Sequence, residues 1–337
     1  MRGKQGAAGR PSIVVGLNAV IVAVTDETPR ILTISGIPSD PAFQDPLRSE
    51  VGLDLLPFGP LDPEADRTLE LALRGWVRER AGLELGYVEQ LYTFGDRDRA
   101  TPGRPNLPRV ISLAYLALVR EGRPSGSDRA RWRDWYAYFP WEDLREGEPE
   151  IMKGVIVPAL RSWMSEASNR TLRDERRERA GIAFGLEGSG WDSDRVLERY
   201  ELLYELGLVA ESKRNREFRN LASHPAPELG RPMDMDHRRI LATGLSRIRG
   251  KLRYRPVVFE LLPDTFTLLR LQLVVEALAG IRLHKQNFRR LVERGGLVEG
   301  TSTFDSRTGG RPAERFRFRR EVLRERRAPG MRIPGGR

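Results

Sequence analysis

Cysteine is absent from this chain of 337 residues, and histidine occurs only three times. No disulfide, thiolate-held metal or cysteine nucleophile can therefore be built, and a chain without cysteine is compatible with a reducing cytoplasm, where we expect it. His224, His237 and His284 are too scattered in sequence to propose a zinc or copper site. Long apolar runs are missing too. No stretch approaches the roughly 18 residues of a membrane-spanning helix, so no membrane partner is expected. Ile13 to Val24 follows a basic start, as a signal peptide would, but Asn18 interrupts it and the alternation reads as a first strand. What remains is 39% hydrophobic and 31% charged, the balance of a soluble globular protein. The length exceeds one usual hydrophobic core, so two or three domains are expected.

Positive charge is present but local. Residues 231–337 hold 25 Lys plus Arg against 11 Asp plus Glu, a net of +14, and the whole chain is +10, so residues 1–230 carry −4. A field concentrated at one end suits steering toward a polyanion and counterion release on binding.

Within that end, Phe266 to Phe318 has the order of a winged helix-turn-helix. Thr267 can cap a helix whose apolar residues Leu268, Leu271, Val274, Val275 and Leu278 recur at helical spacing, and Gly280 ends it. In a second helix, about Leu283 to Arg294, a stripe of His284, Phe288, Leu291 and Val292 should face the core. Arg282, Gln286, Arg289, Arg290 and Arg294 fall on the opposite arc, which can enter a major groove. After Gly295-Gly296, two short strands, Leu297 to Thr303 and Arg315 to Arg319, flank the turn sequence from Asp305 to Pro312, which carries Arg307 and Arg311 as a wing would. A basic helix alone is as readily a solvated face; helix, turn, helix and basic hairpin together point to double-stranded DNA. Gln286, Arg289 and Arg290 are the candidates for base edges, and Arg282, Lys285, Arg294, Arg307 and Arg311 for phosphates or the minor groove. Asn287, on the flank, is either a further DNA contact or a structural residue of the helix.

The remainder reads as α+β. Ser12 to Thr25 and Arg30 to Ser35 form a β-pair, followed by a helix from about Pro63 to Ala81 and strands near Val88 to Phe94 and Arg109 to Leu118. Trp135 to Trp141 alternates aromatic and small residues as one more strand, after which Trp141 to Leu144 opens a helix. Further helices are expected at Met152 to Ser168, Thr171 to Ala180, Asp194 to Leu206 and Asp236 to Leu252, the last with Ile240, Leu241, Leu245 and Ile248 on one side. Ser223 to Pro232 is the best linker. The expected organisation is a sandwich over 1–144, a helical insert with linker over 145–230, a linker helix with winged helix over 231–322, and a basic disordered tail over 323–337.

Several of these segments resemble a known family. Leu56-Pro57-Phe58-Gly59-Pro60-Leu61, Arg74 and Glu79 before Gly82-Leu83, and Glu89 to Asp96 (Glu-Gln-Leu-Tyr-Thr-Phe-Gly-Asp) are similar to the Nudix-derived domain of the Nudix-related (NrtR-like) transcriptional regulators of NAD metabolism. Met235 to Arg238, Leu252 to Pro256, Leu262 to Thr267, Asn287 to Arg290 and Gly310 to Ala313 resemble that family's linker helix and winged helix. The resemblance covers about residues 10–120 and 231–320. The long insert at 145–230 departs from the compact members and is more similar to an alphaproteobacterial branch of NAD regulators. The family implies a Nudix-like α/β/α sandwich.

An active Nudix box ends Arg-Glu-x-x-Glu-Glu-x-Gly, with carboxylates at i, i+3 and i+4 on one helix face to hold magnesium against a pyrophosphate. Anchored on Gly82-Leu83, those positions here are Trp76, Glu79 and Arg80; anchored on Arg74, they are Gly75, Arg78 and Glu79. Either way one carboxylate stands beside a cation, and Glu64 and Glu70 do not restore the cluster. Hydrolysis is not expected and no cofactor is required. What the resemblance then implies is a repressor of NAD-related genes, acting as a homodimer on a palindromic operator and sensing ADP-ribose, NAD or ATP. In the sequence itself, Arg97, Arg99, Arg104 and Arg109 can meet phosphates and Phe94 or Tyr115 can stack on a base, although for each one taken singly a solvated arginine or a core aromatic is the more ordinary reading. The aromatics Trp132 to Trp141 either line a pocket or fill a core. The alternatives to a regulator are a Nudix-type hydrolase with a nucleic-acid tether and an RNA-associated basic protein.

Overall fold

The computed structural model describes residues 13–35, 53–96, 109–122, 129–214, 229–306, 312–325 and 330–331. Strands β1 (Ile13–Thr25) and β2 (Thr28–Ser35) form a hairpin whose two-residue turn, Asp26-Glu27, takes φ of 48° and 60°. Both residues are left-handed, as the tight turn between right-twisted strands demands. Then come β3 (Asp54–Leu55), β4 (Phe58–Pro60), helix α1 (Leu69–Ala81), β5 (Tyr87–Phe94), β6 (Arg109–Leu118) and β7 (Ala130–Asp134). The strands make one mixed sheet in the order β3-β2-β1-β6-β5, with β4 added to β1 and β7 to β2. The β1–β6 pairing is parallel along ten residues, Ile13↔Arg109 to Val22↔Leu118.

Alternation along β1 divides the two faces of the sheet. Leu17, Ala19, Ile21 and Ala23 pack with Tyr115 and Ala117 of β6 against Ala72, Leu73, Val77 and Ala81 of α1. Val20, Val22 and Val24 join a second and larger core on the other face. Helix α1 starts later than expected because Asp62 builds its own turn, accepting the amides of Glu64 and Ala65 (2.9 and 3.0 Å); Thr68 then caps the helix by accepting the Leu71 amide at 3.2 Å.

The aromatic stretch is not a strand. Trp135–Ala137 and Pro140–Glu142 are single 3₁₀ turns, and no helix opens at Trp141. Asp134 initiates the first turn by accepting the Tyr136 amide at 2.9 Å, so the local capping bond overrides the period-2 pattern. The chain then passes through a π-helical turn (Met152–Ile156) into α2 (Val157–Ser165), α3 (Arg170–Phe184) and α4 (Val196–Glu205). Helix α5 (His237–Tyr254) crosses the second face of the sheet. Its Ile240, Leu241, Leu245 and Ile248 share one continuous core with Trp135, Trp141, Leu160, Phe184 and Leu203.

The C-terminal part adds a short strand β8 (Phe266–Thr267), helices α6 (Leu268–Ala279) and α7 (Lys285–Arg294), strands β9 (Val298–Asp305) and β10 (Ala313–Phe318), and α8 (Val322–Glu325). The small sheet runs β8-β10-β9 and carries Phe318 stacked on Phe259 at 4.3 Å. Part of the expected tail is built in: Met331 is buried and donates its amide to the Leu252 carbonyl at 2.9 Å.

Candidate nucleic-acid interface and sensor cleft

Helix α6 begins as the sequence requires, with the Thr267 hydroxyl accepting the Arg270 amide at 3.2 Å, and ends at Gly280, where φ is +71°. After the turn, α7 buries Phe288 and Val292 and half-buries Leu291. Gln286, Arg289, Arg290 and Arg294 are exposed on its other side, Asn287 is exposed on the flank, and Lys285 is exposed in the first turn. His284, expected on the core stripe, is exposed instead. It occupies the N-cap position in extended geometry, so helical periodicity does not yet govern where it points. Arg290 donates to the Asn287 carboxamide oxygen at 2.9 Å, so these two candidates form one unit on the helix surface.

Cations of the hairpin are used differently. Arg315 pairs with Asp305 at 2.7 Å, Arg317 with Glu299 at 2.5 Å and Arg319 with Glu325 at 2.5 Å. Lys285, Arg289 and Arg294 have no ion pair among the described residues. Arg282, expected to reach phosphate, is engaged by carboxylates: Glu146 at 2.7 Å, Glu276 at 3.1 Å and Glu27 of the β1–β2 turn at 3.8 Å. Its hydrogen bonds to Glu146 and Glu276 raise its pKa further, and it serves as a link within the protein before it can serve DNA. Arg307 and Arg311 lie outside the described residues.

On the α1 face, Arg74 is spent on structure. It donates to Glu70 at 2.9 Å and to the carbonyls of Leu85 and of Gly86, the latter at 3.0 Å, tying α1 to the start of β5. Glu79 is exposed, and the neighbouring box positions hold the Trp76 indole with the Arg80 guanidinium 5.2 Å from its ring centre. Among the described residues no group of three or more His, Asp or Glu side chains is placed to hold a metal ion. The donor set does not fit magnesium: one carboxylate beside a guanidinium cannot replace three on one face.

The two alternative candidates for stacking on a base lie on opposite faces of the sheet. Tyr115 faces α1, where burial, then the Glu70 charge, raise its hydroxyl pKa. Phe94 is on the opposite face, buried under α5 with the Arg239 guanidinium 5.4 Å from its ring centre. Successive side chains of the paired strands point to alternate faces, so one ligand cannot touch both. Arg109 donates twice to the Gly95 carbonyl, at 3.1 and 2.8 Å, closing the base of the loop between β5 and β6. Arg97, Arg99 and Arg104 belong to that loop and lie outside the described residues.

Sequence reasoning missed the groups that join the two halves. Arg239 pairs with Asp96, with Asp236 at 3.2 Å and with Glu201 at 2.6 Å. Glu89 of β5 takes Lys251 at 2.5 Å and also Arg247, and both cations are on α5. Glu142 is fully buried between Arg199 (2.6 Å) and Arg249 (2.6 Å). Arg199, Arg239, Arg247, Arg249 and Lys251 lie in helical patterns, where charged residues ordinarily read as solvent-facing, and no local signal links them to these carboxylates.

A mixed sheet flanked by α1 and α5, carrying a helix-turn-helix and a β-hairpin at its C-terminal end, defines a Nudix-type sandwich joined to a winged helix. Residues 258–318 match the family model of the NrtR DNA-binding winged helix domain, so this segment is a winged helix of the NrtR type. The chain is 37% identical over 83 residues to the ADPR-responsive transcriptional repressor NtrR of Acinetobacter baylyi, a match covering 25% of this chain and 33% of that protein. The match thus spans about a third of the length of that curated relative. Shewanella oneidensis NrtR, solved in complex with a 27mer DNA, has the same fold over 92% of this chain and 95% of its own, with a TM-score of 0.53 at 18% identity. A MutT/nudix family protein of Enterococcus faecalis aligns over 94% and 90%, with a TM-score of 0.50 at 14% identity.

Proposed function

We propose that this chain is a ligand-responsive transcriptional regulator that represses genes of NAD metabolism. The observation that carries the reading is α7: a helix of an NrtR-type winged helix with Gln286, Arg289, Arg290 and Arg294 exposed on one side and Phe288 and Val292 buried on the other. The DNA-bound Shewanella relative and the ADPR-responsive Acinetobacter repressor support DNA as the partner and ADP-ribose, NAD or another adenine nucleotide as the effector.

The Nudix-type sandwich acts in this reading as a sensor, its hydrolytic site replaced by Trp76 and Arg80. Two copies in a homodimer would set a pair of α7 helices against a palindromic operator in the cytoplasm. Effector binding changes the relative stability of two dimer arrangements, and α5, tied to β5 through Glu89–Lys251 and to Asp96 through Arg239, carries the difference.

Calorimetric titration with ADP-ribose, NAD and ATP, with and without the palindromic upstream DNA, tests this. Binding of at least one nucleotide, with a different affinity when DNA is present, is expected. Magnesium-dependent release of AMP from ADP-ribose would replace the reading with a hydrolase, and equal affinity for random duplex would remove the operator from it.

A further inference from the structure

The last carbonyls of a helix have no partner within it and usually turn to water. At the end of α6 they turn to the rest of the protein. The Ala277 carbonyl accepts from the Tyr136 hydroxyl at 2.7 Å, the Leu278 carbonyl from Arg249 Nε at 3.0 Å, and the Gly280 carbonyl from the Leu144 amide at 2.7 Å. One donor comes from α5 and two from the segment that follows β7. Arg249 also sets a full positive charge against the negative end of the α6 dipole.

Around these bonds there is no slack. A side-chain carbon on Gly280 would stand 2.3 Å from the Glu142 carbonyl, 2.7 Å from Arg249 Nη2 and 2.9 Å from the Tyr136 hydroxyl. Only glycine serves there, both for its φ and for the contact. Arg249 is itself fixed, giving Nη1 to the Glu142 carboxylate at 2.6 Å and Nη2 to the Glu142 carbonyl at 3.1 Å. The other side of that carboxylate is held by Arg199 of α4, in bonds of 2.6 and 2.9 Å. Arg199 in turn is anchored on the carbonyls of Ala183 and Asp192, at 3.0 and 2.8 Å.

We propose that Tyr136, Glu142 and Arg249 are positioning residues for DNA recognition: they clamp the C-terminus of α6 to the sensor, and the helical insert, through Arg199, holds the clamp shut. The inference rests on the regulator reading and gives the 145–230 insert a task. The turn after α6 dictates where α7 begins, so the angle at which α7 meets a groove is set by a buried polar network in the sensor's own core. The winged helix does not hinge on its neighbour within one chain, and rearrangement on effector binding moves whole protomers.

The absence of cysteine allows a direct test. Arg78→Cys on α1 and Glu293→Cys on α7, both exposed, take spin labels for pulsed distance measurement on the full-length protein, mixed with an excess of unlabelled protein so that a dimer carries one labelled protomer. The parent should give one narrow distance distribution, and Tyr136→Phe and Arg249→Lys should each broaden it. The same two substitutions should weaken binding to the palindromic upstream DNA about tenfold, the equivalent of one lost hydrogen bond, and leave binding to random duplex unchanged. A purely structural role would lower the melting temperature without changing the ratio of specific to random binding. A distribution already broad in the parent, or one that stays narrow in both variants, overturns the clamp. Failure of the parent to prefer the palindrome removes the regulator reading instead, and the distance measurement still decides the clamp.

Discussion

The indole of Trp76 lies against Gly59 so closely that a side-chain carbon on Gly59 would stand 2.4 Å from the indole Nε1. Trp76 belongs to α1 and Gly59 to β4, which pairs with β1 through Leu17↔Gly59. Trp76 thus fastens the helix to the sheet. Gly59→Ala should destabilise the protein by about 1–3 kcal/mol, the usual cost of overpacking, and Trp76→Phe should recover part of that loss in the double variant. Urea unfolding of the three proteins is the measurement, and equal midpoints would reject the contact.

On α7, packing and recognition should separate cleanly. Phe288→Ala empties a buried site and should cost about 3–5 kcal/mol in a denaturant melt, with DNA binding lost alongside. Arg290→Ala should leave the melt unchanged and relax base preference at one operator position by about 1–3 kcal/mol. Unchanged affinity and unchanged sequence preference would reject Arg290 as a base contact. Lys285→Ala should weaken all sequences equally and lower the slope of affinity against salt by about one unit.

Arg282 stands between two uses, because Glu146, Glu276 and Glu27 hold the cation where the sequence expected a phosphate. The Glu146 side chain is 84% exposed, so its pair with Arg282 should contribute no more than about 0.5 kcal/mol. Glu146→Gln should leave the melting temperature in place and tighten DNA binding at low salt, an effect that disappears when Arg282→Ala is added. Unchanged binding in both would place Arg282 outside the interface.

Acid should open the buried triad. Burial pushes the Glu142 carboxyl up, but Arg199 and Arg249 outweigh it and hold the group below the ordinary carboxylate range. A depressed folded value means the stabilisation is complete above the unfolded value, near pH 4.3, and is lost as pH falls from there through the folded value. Stability from urea melts should therefore drop below about pH 4.5. In Glu142→Gln the part of that drop owed to this group should vanish, and the variant should be about 3–5 kcal/mol less stable at neutral pH, with two buried guanidinium groups left facing a neutral amide. An unaltered pH profile would show that Glu142 is not the responsible group.

Much of the fold could be read from local signals. Thr267 and Gly280 bracket α6, and the spacing of Phe288 and Val292 places the core side of α7, because capping and periodicity are written within a few residues. His284 was misplaced by extending that period one position beyond the helix. Trp135 to Trp141 misled for a related reason, since alternation of aromatics does not distinguish a strand from two 3₁₀ turns whose rings point into different parts of one core. Phe94 and Tyr115 are alike as stacking candidates in sequence, and only the sheet tells their faces apart. The buried network had a fainter signature. Arg238, Leu241, Leu245, Arg249 and Leu252 all fall on one arc of α5, so two arginines sit in an apolar stripe. Their partners Glu211 and Glu142 come from distant segments, and no local pattern announces such a pairing.

The buried position of Arg249 also limits how this architecture can be recombined. A fragment cut just before α5 would carry the winged helix away with a guanidinium built for burial, while leaving behind the carboxylate that neutralises it and the tyrosine that closes the end of α6. Such a fragment is not a transplantable reading head. Grafting a new operator preference onto this protein is best done by exchanging surface residues of α7 in place, and a chimera that keeps any foreign sensor would have to bring its own counterparts of Tyr136, Glu142 and Arg199.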